Sequence, residues 1–194
     1  MDIKSVILEG VRIRMEPLEL SHVDRLAEFA FDEGLWRWTA NVVKSKDDLQ
    51  QYVARALDER DRSVSLPFVT VDLESGDLVG SSRFGNIDKA NRKVEIGWTW
   101  VAPDRQRTHV NTEAKLLMLT HAFEVWKCIR VELKTDALNA KSRAAIRRIG
   151  AVEEGILRNQ MIIDSGRFRD TVYFSIIDNE WKSVQQNLTK MLER

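Results

Sequence analysis

The chain has 194 residues, 43% of them hydrophobic, which is enough apolar material for one sizeable core over 1–194. Its 30 Lys and Arg are balanced by 30 Asp and Glu, so no net positive field argues for a nucleic-acid partner. The three histidines, His22, His109 and His121, have no metal-ligand spacing, so no metal is expected.

In chain order, the first ten residues carry Asp2 and Glu9 around an apolar stretch too short for an export signal or a bilayer span, which predicts a cytoplasmic protein free of membranes. Val11 to Met15 alternates with the period of a half-buried strand, and Pro17 ends it. Ser21 with Asp24 reads as a helix N-cap ahead of Val23, Leu26, Ala27 and Ala30. Trp36 and Trp38 follow, two large aromatics free to line a pocket or to join the core. Ser45 and Asp48 announce a second helix through Leu49, Tyr52, Val53, Ala56 and Leu57.

From Leu66 the period is that of strands. Phe68 to Val71 and Leu78 to Phe84 form a hairpin about Glu74 to Asp77, and a longer strand, Val94 to Val101, stops before Pro103. Asn111 to Trp126 is a long helix and Ile129 to Lys134 a strand, with Cys128 at their join reading as a small buried hydrophobe. A loop through Asn139 leads to a helix closed by Arg147, Arg148 and Gly150. Two strands, Gly155 to Ile163 and Thr171 to Ile177, turn at Asp164 to Gly166, and a last helix spans about 179–192. Strand, helix, strand, helix argues for an α/β sheet with a crossover. The polar loop Asp104 to His109, between a strand and a helix, suits a pyrophosphate or is a plain connection.

Several ordered blocks now bear on function: Asn91-x-x-Val94-Glu95-Ile96-Gly97-Trp98, Gln106 to Lys115, Asn139-x-x-Ser142 with Ile149-Gly150-Ala151, Glu154-Gly155-x-Leu157-Arg158, and Gly166-Arg167-x-Arg169-Asp170 leading into Phe174-Ser175. With these the chain resembles the GNAT acetyltransferase superfamily from Val11 to Trp181, and more closely its RimJ and RimL branch of ribosomal-protein N-terminal acetyltransferases. The resemblance implies an α/β three-layer fold, a mixed central sheet with splayed middle strands and flanking helices. It also implies direct acetyl transfer from acetyl-CoA to a primary amine. The favoured acceptor is a peptide or protein N-terminus; an amino acid, a polyamine or an antibiotic-like amine is the alternative.

The same resemblance implies a site. Gln106 matches the first position of the family's pyrophosphate loop, which continues through Arg107, Thr108, His109, Val110, Asn111 and Thr112. His109 and Asn111 stand where the family has Gly and then Gly or Ala, and a β-carbon at His109 crowds an anion unless it turns outward. Pantetheine would enter between the strands at Val101 and Ile129, with the backbone of Trp100 or Val101 facing the thioester carbonyl. Asn139 matches a pantetheine contact and Ser142 the acid for the leaving thiolate; otherwise Asn139 caps the next helix and Ser142 fills its first turn. Arg143 can reach the coenzyme's phosphates or remain a helix-surface charge. Glu95 is the candidate base or one half of an ordinary ion pair. Trp36, Trp38, Glu95 and Tyr173 are the acceptor-side candidates. The departures at His109 and Asn111 also leave room for a non-catalytic acyl-CoA sensor, whereas Glu95, Asn139 and Ser142 favour an enzyme. A strand edge or the final helix can build a homodimer.

Overall fold

The computed structural model describes residues 1–193. Eight strands form one sheet: β1 Leu8–Glu9, β2 Ile13–Pro17, β3 Leu66–Asp72, β4 Leu78–Asp88, β5 Lys93–Val101, β6 Arg130–Asp136, β7 Val152–Ile162 and β8 Phe168–Ile177. Their spatial order is β1-β2-β3-β4-β5-β6-β8-β7. Neighbours run antiparallel except β5 and β6, which are parallel. A parallel pair needs a crossover, and the helix α4, His109–Thr120, provides it.

Alternation along the strands sends two sets of side chains to opposite faces. Ile13, Phe68, Phe84, Val94, Ile96, Val131, Phe174 and Ile176 meet α4, α5 (Ala140–Arg148) and α6 (Trp181–Leu192) in the larger core. Val69, Val71, Leu78 and Trp100 face the other way, onto α1 (Val23–Ala30) and α3 (Lys46–Asp61), in a second core. Each fully buried large side chain such as Phe68 or Leu49 contributes roughly 1.5–3 kcal/mol. The helices on this second face cover only the β2–β4 side, so the face of β5, β6 and β8 beyond Trp100 carries polar groups instead.

The caps explain several boundaries. Ser45 accepts from the Asp48 amide while Asp48 accepts from the Ser45 amide, a reciprocal box at the start of α3 as its sequence predicts. Ser21 does not cap α1: the chain enters through a short tight turn, Leu20–His22, in which the Glu19 amide donates to His22 Nδ1. The predicted helix 111–126 begins two residues early, because Thr108 caps it by accepting from the Val110 amide at 3.3 Å. It ends in a wider π turn, His121–Val125, in which the Trp126 amide reaches back to His121 O. Strand β1 and the short helix α2, Glu33–Trp36, are additions to the sequence reading. Cys128 is buried, and burial pushes its thiol up to about 11, leaving it inert as a nucleophile.

Candidate active site

The middle of the sheet opens. Strands β5 and β6 pair only at Lys93–Arg130, Val94–Val131 and Glu95–Glu132; beyond that β6 continues against β8 alone, through Asp136–Thr171. The cause lies in β5. Between Gly97 and Trp100 its register against β4 slips, Arg83 pairing Gly97 and Ser81 pairing Trp100, and Trp98 takes a left-handed φ of 50°. One extra residue bends the strand away from its parallel neighbour. Gly85 makes room, since a β-carbon there would sit 2.3 Å from the Trp98 ring. The edge of β5 from Trp98 to Val101 is thereby released from β6, a slot into which an extended ligand can hydrogen-bond.

At the end of that edge the loop to α4 presents donors. Gln106 Nε2 holds the Val101 carbonyl at 3.1 Å. Thr108 is fixed by its hydroxyl, which donates to Arg105 O at 2.7 Å and accepts from the Val110 amide. The amides of Arg107, Thr108, His109 and Asn111 enter none of the loop's backbone hydrogen bonds among the described residues. Together with the positive end of the α4 dipole, these amides suit a phosphate group. The left-handed residue is Arg107, at φ 64°, whereas His109 and Asn111 lie inside the helix with ordinary backbone. A glycine is therefore not needed at either position for the turn. His109 is half-buried, with its Nε2 enclosed and without a partner among the described residues. Thr112 faces elsewhere, its hydroxyl accepting from Arg148 at 3.0 Å.

Across the slot, Asn139 caps α5 by accepting from the Ser142 amide at 3.0 Å, and Ser142 sits in the first turn with its hydroxyl free of partners among the described residues. Arg143 is engaged: it donates to Ala137 O at 3.2 Å and to Glu153 at 3.3 Å, a brace between α5 and β7.

The polar face opposite α4 carries a continuous ladder. Asn86 donates to Glu95 at 2.6 Å, Lys134 bridges Glu95 at 2.8 Å and Glu132 at 3.2 Å, and Arg130 links Glu132 at 3.0 Å to Glu154 at 2.5 Å. Ser175 closes it on Glu154 at 2.7 Å. Burial works to lower the Lys134 pKa, but Glu95 and Glu132 carry it above its ordinary value. The Arg130 guanidinium holds Glu154 down to about 2. Glu95 uses Oε2 for both of its partners and, among the described residues, leaves Oε1 without one. Tyr173 lies beside this ladder, its ring 4.6 Å from Lys134 Nζ.

The two tryptophans part company. Trp36 is buried at 3%, donates to Ala30 O and packs on Tyr52 and Trp100, so it belongs to the second core and supports the floor from beneath. Trp38 stays half-buried between the guanidiniums of Arg37 and Arg167. Arg167 also pairs with Asp136, which is fully buried at the end of β6. The segment after Trp38 is latched to the β7–β8 turn: the Asp164 amide donates to Ala40 O at 3.2 Å and the Val42 amide to Asp164 Oδ2 at 3.0 Å. A shallow groove lined by Ile156, Leu157, Arg158, Asn159 and Asp170 lies outside this arrangement and contains none of the predicted site residues.

Among the buried charges that escaped the sequence reading, three brace the surroundings of the site. Arg83, on β4, spans Glu59 at 3.1 Å and lies over the rings of Tyr52 and Trp98, fixing the bulge. Glu113, on α4, accepts from the amides of Val11 and Arg12 at 2.5 and 3.0 Å and ties the N-terminal turn to the helix. Lys115, fully enclosed, donates to Thr99 Oγ1 at 2.7 Å and Ser82 Oγ at 3.3 Å just beyond the bulge, and burial lowers its pKa to about 7. The one signal in sequence was a charge inside the apolar stripe Ala114, Met118, Leu119.

Comparison with known proteins now gives the class. The family model described as "Acetyltransferase (GNAT) domain" matches residues 12–152, and the chain belongs to this family. It is 32% identical over 179 residues to the Bacillus subtilis protein named "Putative ribosomal N-acetyltransferase YdaF", covering 90% of this chain and 94% of that one. A GCN5-related N-acetyltransferase from Brucella melitensis superposes with a TM-score of 0.90 at 30% identity, over 97% of this chain and 86% of that one. Mycobacterium smegmatis RimJ, solved in complex with CoA-disulfide, superposes at 0.80 with 24% identity over 95% and 91%, a likeness of fold. The protein is thus a GNAT N-acetyltransferase, of a family whose acetyl donor is acetyl-CoA. Among the described residues no helix is long and apolar enough to cross a membrane.

Proposed function

We propose that this chain transfers acetyl from acetyl-CoA directly to the α-amine of a peptide or protein N-terminus. The observation that carries the reading is the parting of β5 from β6 beyond Glu95–Glu132, with a free strand edge on one side and the open amides of Arg107, Thr108, His109 and Asn111 at its end. Those amides would hold the pyrophosphate, the β5 edge at Trp100 and Val101 would hold the pantetheine and face the thioester carbonyl, and the free amide nitrogen of Asn139 would close the slot. Acetyl-CoA supplies the activated acetyl group. Ser142, with an unengaged hydroxyl at the start of α5, is suited to return a proton to the leaving sulfur.

The acceptor would approach over the polar face beneath Trp38 and Arg167, with Tyr173 on its wall. Glu95 is a restrained base: one oxygen is taken by Asn86 and Lys134 and the other is open. Such a group suits an α-amine, whose reference pKa is roughly 7.7–8, better than a lysine near 10.4. The likeness to a protein named for ribosomal N-acetylation supports the same acceptor class. To test it, the purified protein is incubated with acetyl-CoA and a mixed panel of peptides, free amino acids and polyamines, and the products are weighed by mass spectrometry. Acetyl groups on peptide α-nitrogens are expected; acetylation confined to polyamines or lysine side chains would replace this reading.

A further inference from the structure

Arg169 stands apart from the ladder just described. It lies on β8, four residues before Tyr173 and therefore on the same face. Its relative exposure is 9%, its Nε is sealed from solvent without a partner, and its guanidinium enters no hydrogen bond or ion pair among the described residues. The nearby carboxylates have other partners: Asp136 is paired with Arg167, and Glu95 with Lys134. Burial lowers the Arg169 pKa, with Asp136 and Glu95 working against it and Arg167 reinforcing it. An enclosed cation without hydrogen bonds from the protein depends on water or a ligand reaching its terminal nitrogens.

From this juxtaposition we infer that Arg169 is the specificity residue of the acceptor cleft and takes a carboxylate that the acceptor carries close to its reactive amine. The inference rests on the acceptor face proposed above. A guanidinium fork matches a carboxylate with two parallel hydrogen bonds. The carboxylate has two sources: an acidic side chain in the first two residues of a peptide, or the α-carboxylate of a free amino acid.

The test uses matched pairs that differ in one carboxylate. The tetrapeptide amides Ser-Asp-Ala-Ala and Ser-Asn-Ala-Ala form one pair, and serine with serinamide the other. Each is titrated calorimetrically into the protein–CoA complex, where nothing turns over, using the parent, Arg169→Met and Arg169→Lys. The carboxylate member of at least one pair is expected to bind the parent about ten- to hundredfold tighter. That preference should vanish in Arg169→Met and partly return in Arg169→Lys, while CoA affinity stays unchanged. The peptide pair responding alone assigns the carboxylate to a side chain, and the serine pair alone to a free amino acid. No preference in the parent, no binding by any member, a preference that survives Arg169→Met, or a loss of CoA affinity instead would each overturn the inference. Turnover of the same compounds with acetyl-CoA is read separately: carboxylate binding without acetylation would reject the proposed function and leave the role of Arg169 standing.

Discussion

Replacing Lys115 with Met should remove a pH dependence from the stability of this protein. The folded chain holds this amine at about 7 through burial, against 10.5 for an ordinary lysine. Between those values the unfolded chain binds a proton that the folded chain does not, so stability rises with pH through that window; below about 7 both states are protonated and the gain is gone. From about pH 7 to about pH 8.5 the linkage amounts to about 1.6 kcal/mol. Methionine fills a similar volume, and Ser82 and Thr99 keep their mutual hydrogen bond of 2.7 Å, so the variant leaves neither hydroxyl unpaired. Urea unfolding of both proteins at several pH values measures the difference, and the comparison cancels every other titrating group. Identical pH slopes in parent and Lys115→Met would show that the amine is charged in the fold and that its burial has been misjudged.

Three further outcomes are expected. Asn111→Asp sets a carboxylate among the open amides of the α4 loop, and calorimetry should show acetyl-CoA affinity falling by at least about tenfold; unchanged affinity would move the pyrophosphate elsewhere. Ser142→Ala keeps the backbone amide that Asn139 caps, so turnover should fall, by about tenfold or more, with acetyl-CoA affinity intact; parent-like turnover would remove its acid role. Glu95→Gln leaves Lys134 its second partner, Glu132, and should lose turnover chiefly on amines of high pKa; a uniform loss across amines would mean that Glu95 orients rather than accepts a proton.

Much of the fold was legible because its signals are local. The hairpins announced themselves through alternation and turn residues, α3 through Ser45 and Asp48, and α6 through the spacing of Trp181, Val184 and Leu188. The start of α4 was misread because Thr108 is a cap whose helix opens on His109, a residue with no strong preference of its own. Trp36 and Trp38 were indistinguishable by composition; which one is buried depends on the short helix α2 turning Trp36 onto Trp100. The candidate site was legible as a set of positions along one stretch, but not as a set of bonds. Glu95, Lys134, Arg130 and Glu154 lie on separate strands, and pairing across a sheet follows from register that no single segment encodes. Arg169 is conspicuous only once its neighbours are seen to be already paired.

The latch at Ala40, Val42 and Asp164 has a consequence for how this architecture diversifies. The slot proposed for the coenzyme is assembled from residues 94–143, a nearly continuous middle stretch. The acceptor entrance proposed beside it is framed by two distant pieces, one on each side of that stretch, which clasp each other as well as touching the stretch at Trp100 and Asp136. A change of length in either piece must be answered in its counterpart for the clasp to close. The acetyl-handling machinery below can stay constant while the entrance is rebuilt for a different amine.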